Sequence, residues 1–167
     1  WDEIEGRLKE IGRRIPIVCM GHDPSYWTLS TVRPQIVAAC RSYTVIGGEA
    51  NYANMFRYIA KEVLGLDVEA PPPQPVPWEG LYHPDAPQHF DTIADYLEWY
   101  RPGEAPLVGL LFSRHYWVNK NTEVEDTLIR QLEARGLKVI PAFSYALRDA
   151  NLGCKGSGEV VREFFLD

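Results

Sequence analysis

The run LLFSRHYW, residues 110–117, ends an apolar stretch abruptly on a hydroxyl, a guanidinium, an imidazole and two large aromatic rings. Such groups bind an anion and move a proton. Arginine grips a carboxylate through two parallel N–H donors, and histidine exchanges a proton near neutral pH. Two further apolar runs end in the same manner. IPIVCM (15–20) leads into Gly21-His22-Asp23, and Lys138–Phe143 leads into Ser144-Tyr145. In open parallel sheets ligands settle outside the carboxyl ends of the strands, where helix N-termini and polar loops converge. If all three runs are parallel strands, His22, Ser113, Arg114, His115 and Ser144 share one rim. The plainer alternative gives Arg114 a structural ion pair and His115 a helix-capping role.

Other residues with chemical capacity are less focused. Gly47-Gly48 opens an amphipathic helix, so exposed backbone N–H groups there are able to hold a carboxylate or phosphate, or simply to make a tight turn. His83 and His89 lie six apart in the proline-broken loop HPDAPQH, which is not an established zinc spacing, leaving His83 at most an open site for a borderline metal. Trp78, Tyr116 and Trp117 offer flat apolar faces for a planar ligand or for the core. GCKGSGE (153–159) lacks the GxxxxGK[ST] order, so ATP hydrolysis by this chain is not expected.

The elements that must carry these residues follow from periodicity. Helices are expected over 2–14, weakly over 34–46, over 49–64 with Tyr52, Phe56, Ile59 and Val63 inward, and over 91–100. Residues 107–112, a helix over 122–135 and the strand 138–143 form a βαβ crossover. Thr122 and Glu125 are expected as its capping box, with Val124, Leu128 and Leu132 inward. A last helix begins near Ser157. Between 66 and 87 seven prolines strip backbone donors from the chain, which reads as an extended, polyproline-like strap. The fold class is α/β: parallel-sheet, flavodoxin-like βαβ units with flanking helices and a Pro-rich connecting strap. One piece over 1–167 is expected, with the first strand and helices in 1–65, the strap in 66–87 and the βαβ unit in 88–167. Three strands are fewer than the ~5–6 of a common sheet, which suggests part of a larger chain.

With 46% hydrophobic and 24% charged residues the composition is that of a globular protein. A net charge of −6 disfavours nucleic-acid backbones and anionic membranes. Cys19, Cys40 and Cys154 read as reduced thiols in a cytoplasmic setting.

Taken in order, GGEANYANMFRYIAKEVLG, the proline strap into PWEGLYHPDAP, VGLLFSRHYWVNKNTEVEDTLIRQLEARGLKVIPAFSYALRD and KGSGEVVREFFLD resemble the large subunit of the cobaltochelatase and magnesium chelatase family, most closely its cobalt branch. The resemblance covers about 40–167. It implies a cytoplasmic, tetrapyrrole-binding subunit of an ATP-dependent metal-inserting ligase in a multi-subunit complex. The metal is then a substrate, cobalt or alternatively magnesium, and ATP is used by separate ATPase subunits. In the cobalt branch the macrocycle is hydrogenobyrinic acid a,c-diamide, on the way to cobalamin. Under that reading Arg114, Ser113, Ser144, Gly47, Gly48 and Trp117 contact the macrocycle, His115 and His22 accept its pyrrole protons, and His83 meets the metal. A flavodoxin-like flavin or nucleotide module, or a non-catalytic scaffold, are the competing readings.

Overall fold

The computed structural model describes residues 2–12, 15–21, 23–145 and 148–166, which fall into two compact units, Trp1–Val76 and Pro77–Asp167. The division lies inside the proline strap.

The first unit is helical: α1 (Asp2–Gly12), a 3₁₀ turn (Pro24–Leu29), α2 (Pro34–Ile46) and α3 (Glu49–Glu62). Pro34 stands in the first turn of α2, where its missing N–H costs nothing. Ile36, Cys40, Tyr43 and Met55 make the core, with Val18, Met20 and Ile59 against it. The inward stripe of α3 is rotated from the expected one. Asn51, Asn54 and Met55 are buried, whereas Phe56 is exposed. Asn51 explains the rotation. Its side-chain amide donates to the Gln74 carbonyl (2.9 Å) and accepts from the Gln74 N–H (2.7 Å), imitating a backbone pair. Tyr43 donates to the Pro71 carbonyl (2.8 Å). A strap without regular structure thereby has its polar backbone groups satisfied by helix side chains.

Residues 15–20 are extended but are not a strand, which corrects the expectation for IPIVCM. Ile17 and Cys19 donate their N–H groups to the hydroxyls of Thr31 and Ser30, and Thr31 N–H returns a backbone bond to Ile17. Pro16 has no donor to give. An apolar run therefore packs on helices instead of joining a ladder.

The second unit holds the sheet. Its strands are β1 (Glu79–Leu81), β2 (Leu107–Ser113) and β3 (Lys138–Ser144), in the order β1-β3-β2. β2 and β3 run parallel, from Leu107 opposite Lys138 to Ser113 opposite Ser144. They are joined through α5 (Arg114–Val118) and α6 (Glu123–Glu133), as the βαβ pattern requires. β1 is antiparallel to β3 and makes the small sheet mixed. Pro141 shows why β1 is short. Its carbonyl accepts from Tyr82 N–H, but a proline has no N–H to return, so the antiparallel ladder stops after Leu81. Gly80 is needed in β1, since a Cβ there would lie 2.8 Å from the Phe143 ring and 3.2 Å from the Phe90 carbonyl.

One sheet face carries Leu81, Ile140 and Ala142. It is covered by α4 (Ile93–Tyr100), α7 (Ser157–Val161) and a π-helical turn (Arg162–Leu166), through Tyr96, Val160 and Phe164. The other carries Phe112 and Phe143 beneath α5, where Trp117 stacks on Phe143 at 3.9 Å between ring centres. On α6 the buried residues are Ile129 and Glu125, while Val124 and Leu128 are exposed, against expectation. Thr122 does stand at the N-cap but does not cap. Its hydroxyl is engaged with Tyr82 and Asp126 instead.

A buried polar chain ties α4 to β3 and α6. Tyr96 donates to the Val139 carbonyl (2.8 Å), and Tyr100 accepts from Val139 N–H while donating to Glu133. Burial pushes the Tyr96 phenol far above its ordinary value, and burial with the Glu133 bond pushes Tyr100 up to about 12. Both phenols are therefore held protonated in the fold. Tyr96→Phe is expected to lose about 1 kcal/mol, lowering the thermal midpoint of the second unit by several degrees in calorimetry. Because the Tyr100 proton is bound more tightly in the folded chain, stability is full below pH 10 and declines as pH rises from about 10 to about 12. Urea titrations across that range should show the decline, and Tyr100→Phe should make it shallower.

Candidate functional site

Parallel pairing places Ser113 and Ser144 opposite each other at the carboxyl ends of β2 and β3, and the antiparallel β1 brings Glu79 opposite Ser144 from the other side. Three strand termini thus line one edge. The residues that follow or precede them, Arg114, His115, Tyr145 and Trp78, are delivered there by chain connectivity alone.

Ser113 caps α5: its Oγ accepts from His115 N–H at 3.2 Å. This cap turns the chain sharply from strand to helix, which is the physical reason an apolar strand ends in polar residues. Arg114 points inward and is only 3% exposed. Its guanidinium lies 4.4 Å from the centre of the Trp78 ring, and its Nε donates to the Pro77 carbonyl. Trp78 in turn meets Tyr145 edge to face at 5.2 Å. The cation therefore fastens the incoming strap to the sheet edge through a cation–π contact and a charge-assisted hydrogen bond. His115 lies exposed on α5, with Asn119 Nδ2 3.1 Å from its Nδ1. Trp117 is committed to its stack on Phe143, and His89 approaches its ring edge-on at 5.3 Å.

His83 is elsewhere in the second unit and is buried. Its Nδ1 accepts from Asp85 N–H at 3.2 Å, which leaves Nε2 as the donor to Glu133 Oε1, also at 3.2 Å. Both nitrogens are thus engaged, and the ring packs against Trp99 and Tyr100. These contacts make it a core histidine. Among the described residues no group of three or more His, Cys, Asp or Glu side chains is placed to hold a metal ion.

Gly47 and Gly48 belong to the first unit, where they take φ of 74° and 91° between α2 and α3. Gly47 N–H is spent on the Tyr43 carbonyl. Such angles suit glycine, and they identify a tight interhelical turn. His22 lies outside the described residues. The rim expected from three parallel strands is therefore revised: residues 15–20 contribute no strand to the sheet, and β1 takes the third place.

Several edge residues escaped the sequence reading. Glu79 is largely buried and accepts from Lys155 N–H at 3.3 Å. Lys155 Nζ is shared between Glu163 at 2.6 Å and Glu79 at 4.0 Å. A carboxylate, an ammonium and two serines thus flank the Arg114–Trp78 clasp. The signal was the Trp78-Glu79 pair directly after the prolines, a large aromatic and an acid at the point where a strap must dock.

A profile of the CobN/Magnesium Chelatase family matches residues 41–167, the stretch that carries this edge. A magnesium-chelatase subunit of Chlorobaculum parvum is 35% identical over 107 residues, which is 61% of this chain and 8% of that protein. The aerobic cobaltochelatase subunit CobN of Pseudomonas aeruginosa is 27% identical over 128 residues, 77% of this chain and 10% of that protein. Among solved structures, the catalytic subunit of cobaltochelatase from Mycobacterium tuberculosis aligns with a TM-score of 0.56 at 20% identity, over 98% of this chain and 13% of that one, a likeness of fold. The chain thus spans about a tenth of the length of these relatives. With the profile matching some three-quarters of its residues, this chain belongs to the CobN/magnesium chelatase family.

Proposed function

We propose that this chain is a section of the large subunit of an ATP-dependent chelatase that inserts a divalent metal, cobalt, into a tetrapyrrole. The macrocycle is hydrogenobyrinic acid a,c-diamide, in cytoplasmic cobalamin biosynthesis, and ATP is hydrolysed by partner ATPase subunits. The observation that carries the reading is the family match across 41–167, which includes the whole polar sheet edge. The cobalt branch is favoured because the similarity to the Pseudomonas cobaltochelatase subunit extends over more of the chain. Magnesium insertion is the second reading, favoured by the higher identity to the Chlorobaculum magnesium-chelatase protein.

Metal insertion requires that peripheral acid groups be held, that pyrrole protons leave, and that a weakly ligated metal arrive. In this proposal His115, exposed beside the edge, accepts a pyrrole proton. Ser113, Ser144 and Trp117 are assigned to the macrocycle's surroundings. Arg114 locks Trp78 and the strap through its Nε and its stacked face, and it stays assigned to the peripheral acid groups of the macrocycle. His83 has no nitrogen left for a metal.

Titration with metal-free corrinoid should quench the tryptophan fluorescence of this chain saturably, while cobalt added to the chain by itself should not be inserted. Absence of quenching at any concentration, or insertion by the isolated chain, would sink the proposal. In a reconstituted complex with ATPase subunits, His115→Ala is expected to slow insertion by about 10²-fold with an unchanged melting temperature. Equal rates for parent and variant would remove His115 from the mechanism.

A further inference from the structure

β2 is one of the two edge strands of the sheet, and its sequence has none of the features by which edge strands avoid pairing. Its sequence, LVGLLFS, contains no lysine, no proline and no charge. Natural edges are shortened, charged, bulged or covered, because a free row of N–H and C=O groups recruits another strand. Parallel strands of this composition are normally interior, buried on both faces. Here the seven-residue strand leaves Leu107 49% and Leu111 37% exposed.

The surroundings of β2 are also incomplete, on both sides of the sheet. On the α6 side Val124 and Leu128, one turn apart, are 68% and 45% exposed. On the other side Phe165 of the π-helical turn packs over Gly109, where an added Cβ would lie 3.0 Å from its ring, and Leu166 is 73% exposed. Phe165 thus reaches over β2, and the elements on the two faces of the sheet both carry uncovered aliphatic groups. An interior strand with another strand and its helix beside it would bury these groups.

We infer that the outer edge of β2 is a docking site for a fourth, parallel β-strand supplied by the same large subunit, giving the order β1-β3-β2-β4. This rests on the reading of the chain as a section of such a subunit, whose relatives are roughly ten times as long. The topology selects the position. Of the two edge strands, β1 is three residues long and already bridged at Leu81 by Phe90, whereas the seven-residue β2 offers its outer edge among the described residues. A right-handed connection from β3 back past β2 must cross the face opposite α6. That is the face covered by α7 and the π-helical turn, whose Phe165 already reaches over β2. The incoming strand would bring alternating apolar residues to meet Leu107 and Leu111 on one face and the α6 aliphatics on the other.

Amide hydrogen exchange separates the outcomes. In the intact large subunit the β2 amides not bonded to β3 should exchange at least about tenfold more slowly than in the 167-residue chain. Leu107→Lys with Leu111→Lys should leave the melting temperature of the 167-residue chain nearly unchanged and lower that of the intact subunit. Equal exchange in the two proteins overturns the inference even if the lysine variant fails to fold. Protection that appears in the 167-residue chain with rising concentration, together with a dimer in sedimentation, overturns it in favour of pairing between copies. Slow exchange in a subunit that inserts no metal upholds the strand and removes the chelatase reading instead.

Discussion

The parallel ladder between Leu107–Ser113 and Lys138–Ser144 is the constraint on which the rest depends. Parallel pairing requires a crossover, and here the crossover must begin the moment β2 ends. Ser113 answers that demand by capping α5 with its own hydroxyl, so the residues after it are fixed in direction rather than free in a loop. The same register sets Ser113 opposite Ser144. A one-residue slip would reverse every side chain of β2 and separate Phe112 from Phe143. Polar residues gather at the edge because the ladder ends there on all strands together.

What fastens the edge is a cation on an aromatic ring. Arg114 over Trp78, with Nε on the Pro77 carbonyl, joins the first residues of the second unit to the end of β2. The strap preceding it carries so few N–H groups that it cannot pair as a strand for long. It needs side chains to hold it, and it obtains them from Tyr43 and Asn51 on the first unit's helices and from Arg114 on the second unit's edge. A flat cation suits this task because it satisfies a carbonyl and covers a ring in one plane, which an ammonium cannot do.

The crossover, its two strands, the strap and the longer helices were legible in the sequence because each has a strong local period or composition, whereas the five-residue α5 was not. IPIVCM was not distinguishable by period from a strand; its partners turned out to be the hydroxyls of Ser30 and Thr31, which no periodicity encodes. β1 was hidden because three residues after a proline run are too few to alternate visibly. The faces of α3 and α6 were misjudged for a common reason. Counting aliphatics favours Phe56, Val124 and Leu128, but burial went to Asn51, which has backbone to satisfy, and to Ile129 and Glu125, which lie beside the sheet. At the site, Ser113 and Ser144 were placed correctly as strand ends, whereas the inward turn of Arg114 and the saturation of His83 depend on contacts 37 and 50 residues away in sequence.

These differences bear on which groups of the edge are available to a ligand. Arg114, fixed by its Nε and its stacked face, preorganises the surface, and His83, with both ring nitrogens engaged, has no valence left for a ligand. The capacity to exchange protons or to hold acid groups then falls to residues that are held by their backbone yet exposed at the tip, and on this edge His115 is the described imidazole of that kind. Its helix is only five residues long and begins on a buried arginine, so its position is set by the packing beneath it together with the Ser113 cap and Asn119. A side chain mounted on a buried clasp keeps its direction without a partner at its tip, which is the kind of preorganisation that any ligand with several simultaneous contacts requires.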